Sequence, residues 1–120
     1  MDFQHEPTLR RYFGVDPANG EMVWVVHADG SIAGISHRVR VSKCEAEVAL
    51  LVRSDTKGRG IGKQLLQDAI IRSNRDGLTI LSGFVLRENR EMLGLARSAG
   101  FEAKESFGLN IRLELALTTT

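Results

Sequence analysis

The apolar positions of this chain change period several times, and each change marks a predicted element. Met22–Ala28, "MVWVVHA", is a run of β-branched and aromatic residues, the composition of a strand. Asp29-Gly30 follows, a strong hairpin signal, and Ser31–Val41, "SIAGISHRVRV", reads as the returning partner. A third strand is predicted over Glu45–Arg53. Its stretch Val48–Val52 is unbroken by polar residues, which suits a central strand buried on both faces. Helical period then takes over, with Ile61, Leu65, Leu66, Ala69 and Ile70 on one face until Asn74–Gly77 closes the helix. Leu78–Leu86 is a further strand. A second helix runs from about Glu88 to Ser98, with Met92, Leu93, Leu95 and Ala96 apolar and Gly100 at its C-cap. Phe101–Ser106 reads as a short strand. Across Leu109–Leu117, leucines and Ile111 alternate with polar or small residues, the period of a half-buried strand. Ahead of these elements, Glu6–Phe13 is predicted as a short helix and the following "GVDPANGE" as loop. Thr118–Thr120 reads as a frayed end.

This order of strands and helices predicts an α/β protein whose sheet has both parallel and antiparallel neighbours. Its 120 residues allow one domain, 1–120, with a modest core. The composition, 42% hydrophobic and 26% charged, is that of an ordinary globular chain, and the net charge of +1 supplies no field for nucleic acid or membrane. A single cysteine, Cys44, excludes an internal disulfide. The start lacks the apolar core of a signal peptide, and no apolar run approaches a membrane span. A cytoplasmic location is therefore the expectation.

Candidate chemistry begins between the third strand and the first long helix, in "SDTKGRGIGKQ" (Ser54–Gln64). Gly58, Gly60 and Gly62 alternate with Lys57, Arg59, Ile61 and Lys63. Two nucleotide motifs fail on spacing. A Walker A loop requires glycine where Lys57 stands and Ser or Thr where Gln64 stands. The dinucleotide fingerprint is G-x-G-x-x-G, whereas this loop is G-x-G-x-G. What remains is either a basic, glycine-rich connection or a phosphate cradle. In the second case glycines bring backbone N–H groups close to the ligand and the helix adds its positive end.

The stretch "VRSDTKGRGIGKQLL" resembles the acyl-CoA loop of the GNAT N-acetyltransferases, with Lys57 in a slot the family fills with Arg or Gln. Downstream, "LRENREMLGLARSAGF" resembles that family's second motif, an asparagine opening a helix that ends in Gly-Phe. In detail the two stretches are similar to the catalytic domain of Pat-type protein lysine acetyltransferases, and the resemblance runs from about Met22 to Leu117. It implies the GNAT acyl-CoA N-acyltransferase fold: a mixed, mostly antiparallel sheet flanked by helices. The family's N-terminal strand and first long helix are expected to be missing ahead of Glu6–Phe13. That would leave a sheet edge uncovered, and predicts either a homodimer or attachment to further parts of a parent protein.

The resemblance also implies roles. Acetyl-CoA is the donor, with its pyrophosphate on the backbone of Lys57, Gly58, Arg59, Gly60, Ile61, Gly62 and Lys63. Its pantetheine arm lies along the main chain of Leu50, Leu51 and Val52 as an added strand. Asn89 either binds that arm or merely caps its helix. Glu47, in "AEVALLV", matches the family's general base. An ammonium acceptor with pKa near ~10.4 must lose a proton before it attacks. Otherwise Glu47 is a solvent-facing carboxylate paired with Arg40 or Arg53. A backbone N–H near Leu50 is the expected oxyanion donor. The tyrosine that many relatives use to protonate the leaving thiolate is replaced by Ala96, as in Pat-type relatives. Arg87 and Arg90 stand near the expected phosphates or are simply solvated. His27 and His37 lack partners at ligand spacing, so no metal is expected. Cys44, Trp24 and Phe84 read as structural. The acceptor expected is a primary amine, foremost a protein lysine. A small-molecule amine, or a weakly catalytic acyl-CoA-binding regulatory module, are the alternatives.

Overall fold

The structure is a computed structural model that describes residues 9–16, 20–27, 29–53 and 60–117. Its elements are β1 (Leu9–Asp16), β2 (Gly20–His27), β3 (Ile32–Arg40), β4 (Glu45–Val52), α1 (Ile61–Arg75), β5 (Ile80–Leu86), α2 (Arg90–Ser98), β6 (Glu102–Phe107) and β7 (Asn110–Ala116). They build one seven-stranded sheet in the order β1-β2-β3-β4-β5-β7-β6. Neighbours are antiparallel except β4 and β5, which run parallel, joined by the α1 crossover. The mixed, mostly antiparallel α/β sheet expected from the sequence is therefore present.

Strand parity sorts the sheet into two unlike faces. Ala46 and Val48 of β4, Leu81 of β5 and Leu113 of β7 point to one side, where Leu66 and Ala69 of α1 and Leu93 and Ala96 of α2 complete a buried cluster. Val23 and Val25 of β2 meet Ile61 and Leu65 on that same side. Gly34 permits this close approach, because a Cβ there would lie 2.9 Å from Ile61 Cγ2. Both helices thus cover one face. On the other, Leu51 is 70% and Phe84 48% exposed.

This corrects two expectations. β4 is not buried on both faces, since Ala49 and Leu51 are exposed. An unbroken apolar run records only that no polar residue interrupts it, not that both sides are covered. Phe84, expected in the core, stands on the open face and meets the Phe107 ring at a centroid distance of 6.1 Å.

The N-terminal expectation changes too. Residues 9–13 are not helical: β1 pairs along its whole length with β2, from Leu9 opposite His27 to Asp16 opposite Gly20. A lone eight-residue helix is marginal, and Tyr12, Phe13 and Val15 are good strand formers once a partner strand is available. No helix precedes α1 among the described residues. The edges of the sheet are β1 and β6, and β6 is exposed along its length, with Glu102, Lys104 and Glu105 on it. Charge on an edge strand discourages further pairing.

Helix ends follow local chemistry. Gly60, with φ 76°, caps α1 in a left-handed turn. Gly100, with φ 104°, ends α2, where Phe101 N–H donates to Ala96 O and Gly100 N–H to Arg97 O, both at 3.0 Å. That pair of bonds is the Schellman arrangement.

Candidate functional site

β4 and β5 pair over only three positions, Glu45–Glu47 opposite Ile80–Ser82. Beyond Glu47 the two strands separate, while β4 stays paired with β3 as far as Val52. The β5-facing edge of Val48–Val52 is consequently without a ladder partner. Gly83 lies at the fork, where a Cβ would come within 3.0 Å of Val48 O. α2 spans the opening, and the gap encloses a cavity of about 280 Å³ that reaches from Leu51, Leu86 and Asn89 inward to Leu66, Phe101 and Leu113.

α1 starts at the open end of this fork. Its first intrahelical bond runs from Gln64 N–H to Gly60 O at 3.0 Å, so the N–H groups of Ile61, Gly62 and Lys63 precede the helical ladder. No acidic residue stands in its first turn, and the positive end of the helix is uncompensated from within. The Ile61 side chain is core, at 1% exposure, so only its backbone can serve a ligand. A Cβ on Gly62 would meet Leu95 at 3.3 Å and Val52 at 3.5 Å, which sets this turn against both β4 and α2. Lys63 is exposed. Lys57, Gly58 and Arg59 lie outside the described residues.

Asn89 is the N-cap of α2, its Oδ1 accepting from Met92 N–H at 3.2 Å. Capping leaves its amide NH2 uncommitted by that bond, on the rim of the cavity. Arg87 is tied to the β6–β7 turn, donating to Ser106 Oγ at 3.1 Å and Gly108 O at 3.3 Å. Arg90 is exposed at the start of α2. Cys44 is exposed as well, and its role is in its carbonyl, which accepts from Thr79 and Ile80 N–H to start β5.

Glu47 is the last paired residue before the fork, half-buried on the open face. It makes no hydrogen bond or ion pair with another described residue. Arg40 instead donates to Lys43 O at 3.0 Å, and Arg53 Nη1 lies 3.5 Å from Ile32 O. Glu47 thus stands at the point where β4 and β5 part, one residue before Val48 of the cavity wall.

Beside it lies a cluster that the sequence reading did not single out. Ser82, opposite Glu47 and only 1% exposed, donates to Glu45 Oε2 at 2.7 Å. Arg112 donates to the same oxygen at 2.8 Å and also pairs with Glu114. The hydrogen bond to Glu114 holds the Arg112 pKa above its ordinary value against the opposing cost of burial, with the charges of Glu114 and Glu45 adding to it. The signal was legible in part: Glu45 is two residues from Glu47, and Arg112 and Glu114 fall on the polar positions of the period-two strand. No local rule, however, joins Arg112 to Glu45 across the sheet. No group of three or more His, Cys, Asp or Glu side chains able to hold a metal occurs among the described residues.

A parallel strand pair thus opens beside a glycine-capped helix start with no acidic residue in its first turn. The family model for the acetyltransferase (GNAT) domain matches residues 19–103, and the chain belongs to that family. The L-methionine sulfoximine/L-methionine sulfone acetyltransferases of Pseudomonas paraeruginosa and Pseudomonas aeruginosa are 39% identical over 56 residues, 47% of this chain and 33% of theirs. The matched stretch is therefore a third of the length of these relatives. Among solved structures, the GNAT domain of S. lividans PAT superposes with a TM-score of 0.75 at 25% identity, covering 87% of this chain and 64% of that one. Campylobacter jejuni N-acetyltransferase PseH, solved with acetyl coenzyme A, gives 0.70 at 19% identity, with 84% and 70% covered. No described helix is long and apolar enough to cross a membrane.

Proposed function

We propose that this chain is an N-acetyltransferase that passes the acetyl group of acetyl-CoA to a primary amine, with a protein lysine as the acceptor and Glu47 as the general base. The observation that carries the proposal is the fork: β4 and β5 part immediately after Glu47 and Ser82, beside a helix start with no acidic residue in its first turn.

In this reading the pyrophosphate lies on the backbone of Lys57 to Lys63 at the start of α1. The pantetheine arm adds to the unpaired edge of β4 at Leu50, Leu51 and Val52, with the Asn89 amide at the rim. The amine approaches from the open face and gives a proton to Glu47, directly or through water. Its lone pair attacks the thioester carbonyl, and the oxyanion is met by a backbone N–H near Leu50. The C–S bond then breaks as the attacking nitrogen gives up its second proton to water. A thiolate leaves with pKa about 8.5, so a water can protonate it, and the methyl of Ala96 supplies no acid.

A small-molecule amine is the second reading of the acceptor. It is favoured by the 39% identical stretch shared with the two Pseudomonas enzymes named above.

Calorimetry with acetyl-CoA, followed by thiol release in the presence of lysine peptides or of amino-acid amines, tests both readings. Binding in the micromolar range is expected, with lysine peptides as the faster acceptors. Glu47→Gln should bind acetyl-CoA but transfer at least about 100-fold more slowly, the usual contribution of a general base. An unchanged rate removes Glu47 from the mechanism, and absence of binding removes the whole site.

A further inference from the structure

We infer that the donor site accepts acyl groups longer than acetyl and favours a chain of about four carbons. This rests on the CoA site proposed above. The cavity in the fork has two chemically different parts. Its outer part carries Leu51, Leu86 and Asn89, all exposed, where an amide-bearing arm can find polar partners. Its inner part is bounded by Val48, Leu66, Ala96, Phe101 and Leu113, each under 9% exposed and none with a polar side-chain atom.

Two small residues leave this inner space open. Ala96 of α2 offers only a methyl group, and Gly83 of β5 cannot carry a larger side chain without meeting Val48 O at 3.0 Å. Protein cores are otherwise closely packed. An apolar cavity of about 150 Å³ stays dry and takes up a benzene-sized guest. The whole cavity, outer and inner parts together, is about 280 Å³. No side chain at its inner end offers a hydrogen bond to water or to the amides of a pantetheine arm. The part of a CoA thioester that matches it is the alkyl chain beyond the carbonyl. That group is continuous with the outer part through the thioester at the fork. Transfer keeps the same balance for any chain length: the C–N bond forms, the C–S bond breaks, the amine gives one proton to Glu47 and a second to water, and the thiolate is protonated by water.

Each methylene moved from water into an apolar site favours binding about fourfold. Calorimetry with acetyl-, propionyl-, butyryl- and octanoyl-CoA should therefore show butyryl-CoA binding about fifteenfold more tightly than acetyl-CoA, and octanoyl-CoA falling back once the cavity is full. Ala96→Leu, which projects a side chain into the inner part, should bring the butyryl-to-acetyl affinity ratio to one or below. Should that variant fail to fold, the wild-type series decides by itself. Acetyl-CoA binding with butyryl-CoA no tighter overturns this inference and leaves the acetyl-CoA site standing. No binding of any thioester overturns both.

Discussion

Arg38 on β3 and Arg112 on β7 each sit between two carboxylates in a network that includes a fully buried serine, and they stand on opposite faces of the sheet. Arg38 donates to Glu21 and Asp76, both at 2.7 Å, and to Ser73 at 3.2 Å. Arg112 pairs with Glu45 and Glu114, and Ser82 donates to Glu45. The difference lies in what covers them. Arg38, 8% exposed, lies beneath α1 and joins β2, β3 and the end of that helix. Arg112, 18% exposed, lies on the face without helices, beside the residue at which β4 and β5 part. The same ionic chemistry anchors the crossover helix in one place and ties β4, β5 and β7 together beside the fork in the other.

The sharpest way to break this comparison is to remove Arg38. Burial works against its charge, but the hydrogen bonds to Glu21 and Asp76 prevail and hold its pKa above the ordinary arginine value. Arg38→Ala takes from those two carboxylates their shortest ion pairs, leaving Glu21 with Arg72 at 3.8 Å and Asp76 with Arg75 at 3.7 Å. Removing one partner of a buried pair costs about 3–5 kcal/mol, and because both carboxylates retain some solvent contact we expect about 3. Urea unfolding should show a lower midpoint with an unchanged slope. A loss below about 1 kcal/mol would mean that Arg38 behaves as a surface pair.

Arg112→Ala should do the reverse. Its pairs are more open to solvent, so the expected stability loss is about 1 kcal/mol. The transfer rate per folded molecule should fall about tenfold or more, because Glu45 and Glu114 are no longer held apart from the acceptor path and small displacements at a reacting centre are costly. Arg38→Ala should leave the rate per folded molecule near that of wild type. The comparison collapses if both variants lose the same stability and neither loses rate.

What the sequence revealed and what it hid divide along this same line. The helix-covered face was legible because it is periodic: Ile61, Leu65, Leu66 and Ala69 of α1 are all buried as their spacing predicts. So were the turns, where Asp29-Gly30 closes a hairpin and Gly100 ends α2, since glycine conformation is local. The open face was misread. Ala49, Leu51 and Phe84 are apolar, and apolar residues beside a candidate ligand path look the same in sequence as core residues. The Arg112–Glu45 contact spans 67 residues and depends on β5 and β7 meeting. No window of sequence contains it. β1 was mistaken for a helix for a related reason: its strand character comes from pairing with β2. Of the loop residues proposed to hold CoA, Gly60 to Lys63 fall in described structure, at the start of α1. Glu47 is legible in two ways, as a carboxylate in an apolar run and as a match to the family's general base, and it stands at the fork.

The smallest expected effect concerns pH and separates charge from packing in the Arg38 cluster. Burial pushes the Asp76 carboxyl up, yet the hydrogen bond and charge of Arg38 outweigh it and hold Asp76 below the usual carboxylate value. A carboxylate depressed in the folded state is stabilising above its unfolded pKa of about 3.9, and that contribution is lost as pH falls through the folded value. Arg38, raised from an already high value, keeps its contribution until strongly alkaline pH and adds no slope in the acid range. Asp76→Asn should therefore be less stable than wild type at about pH 7, and the gap should be smaller at about pH 3, below the ordinary carboxylate pKa. Urea midpoints at the two pH values measure this. A gap that stays constant would show that Asp76 acts on α1 through shape and neutral hydrogen bonding, and that the charge of Arg38 is answered by Glu21 alone.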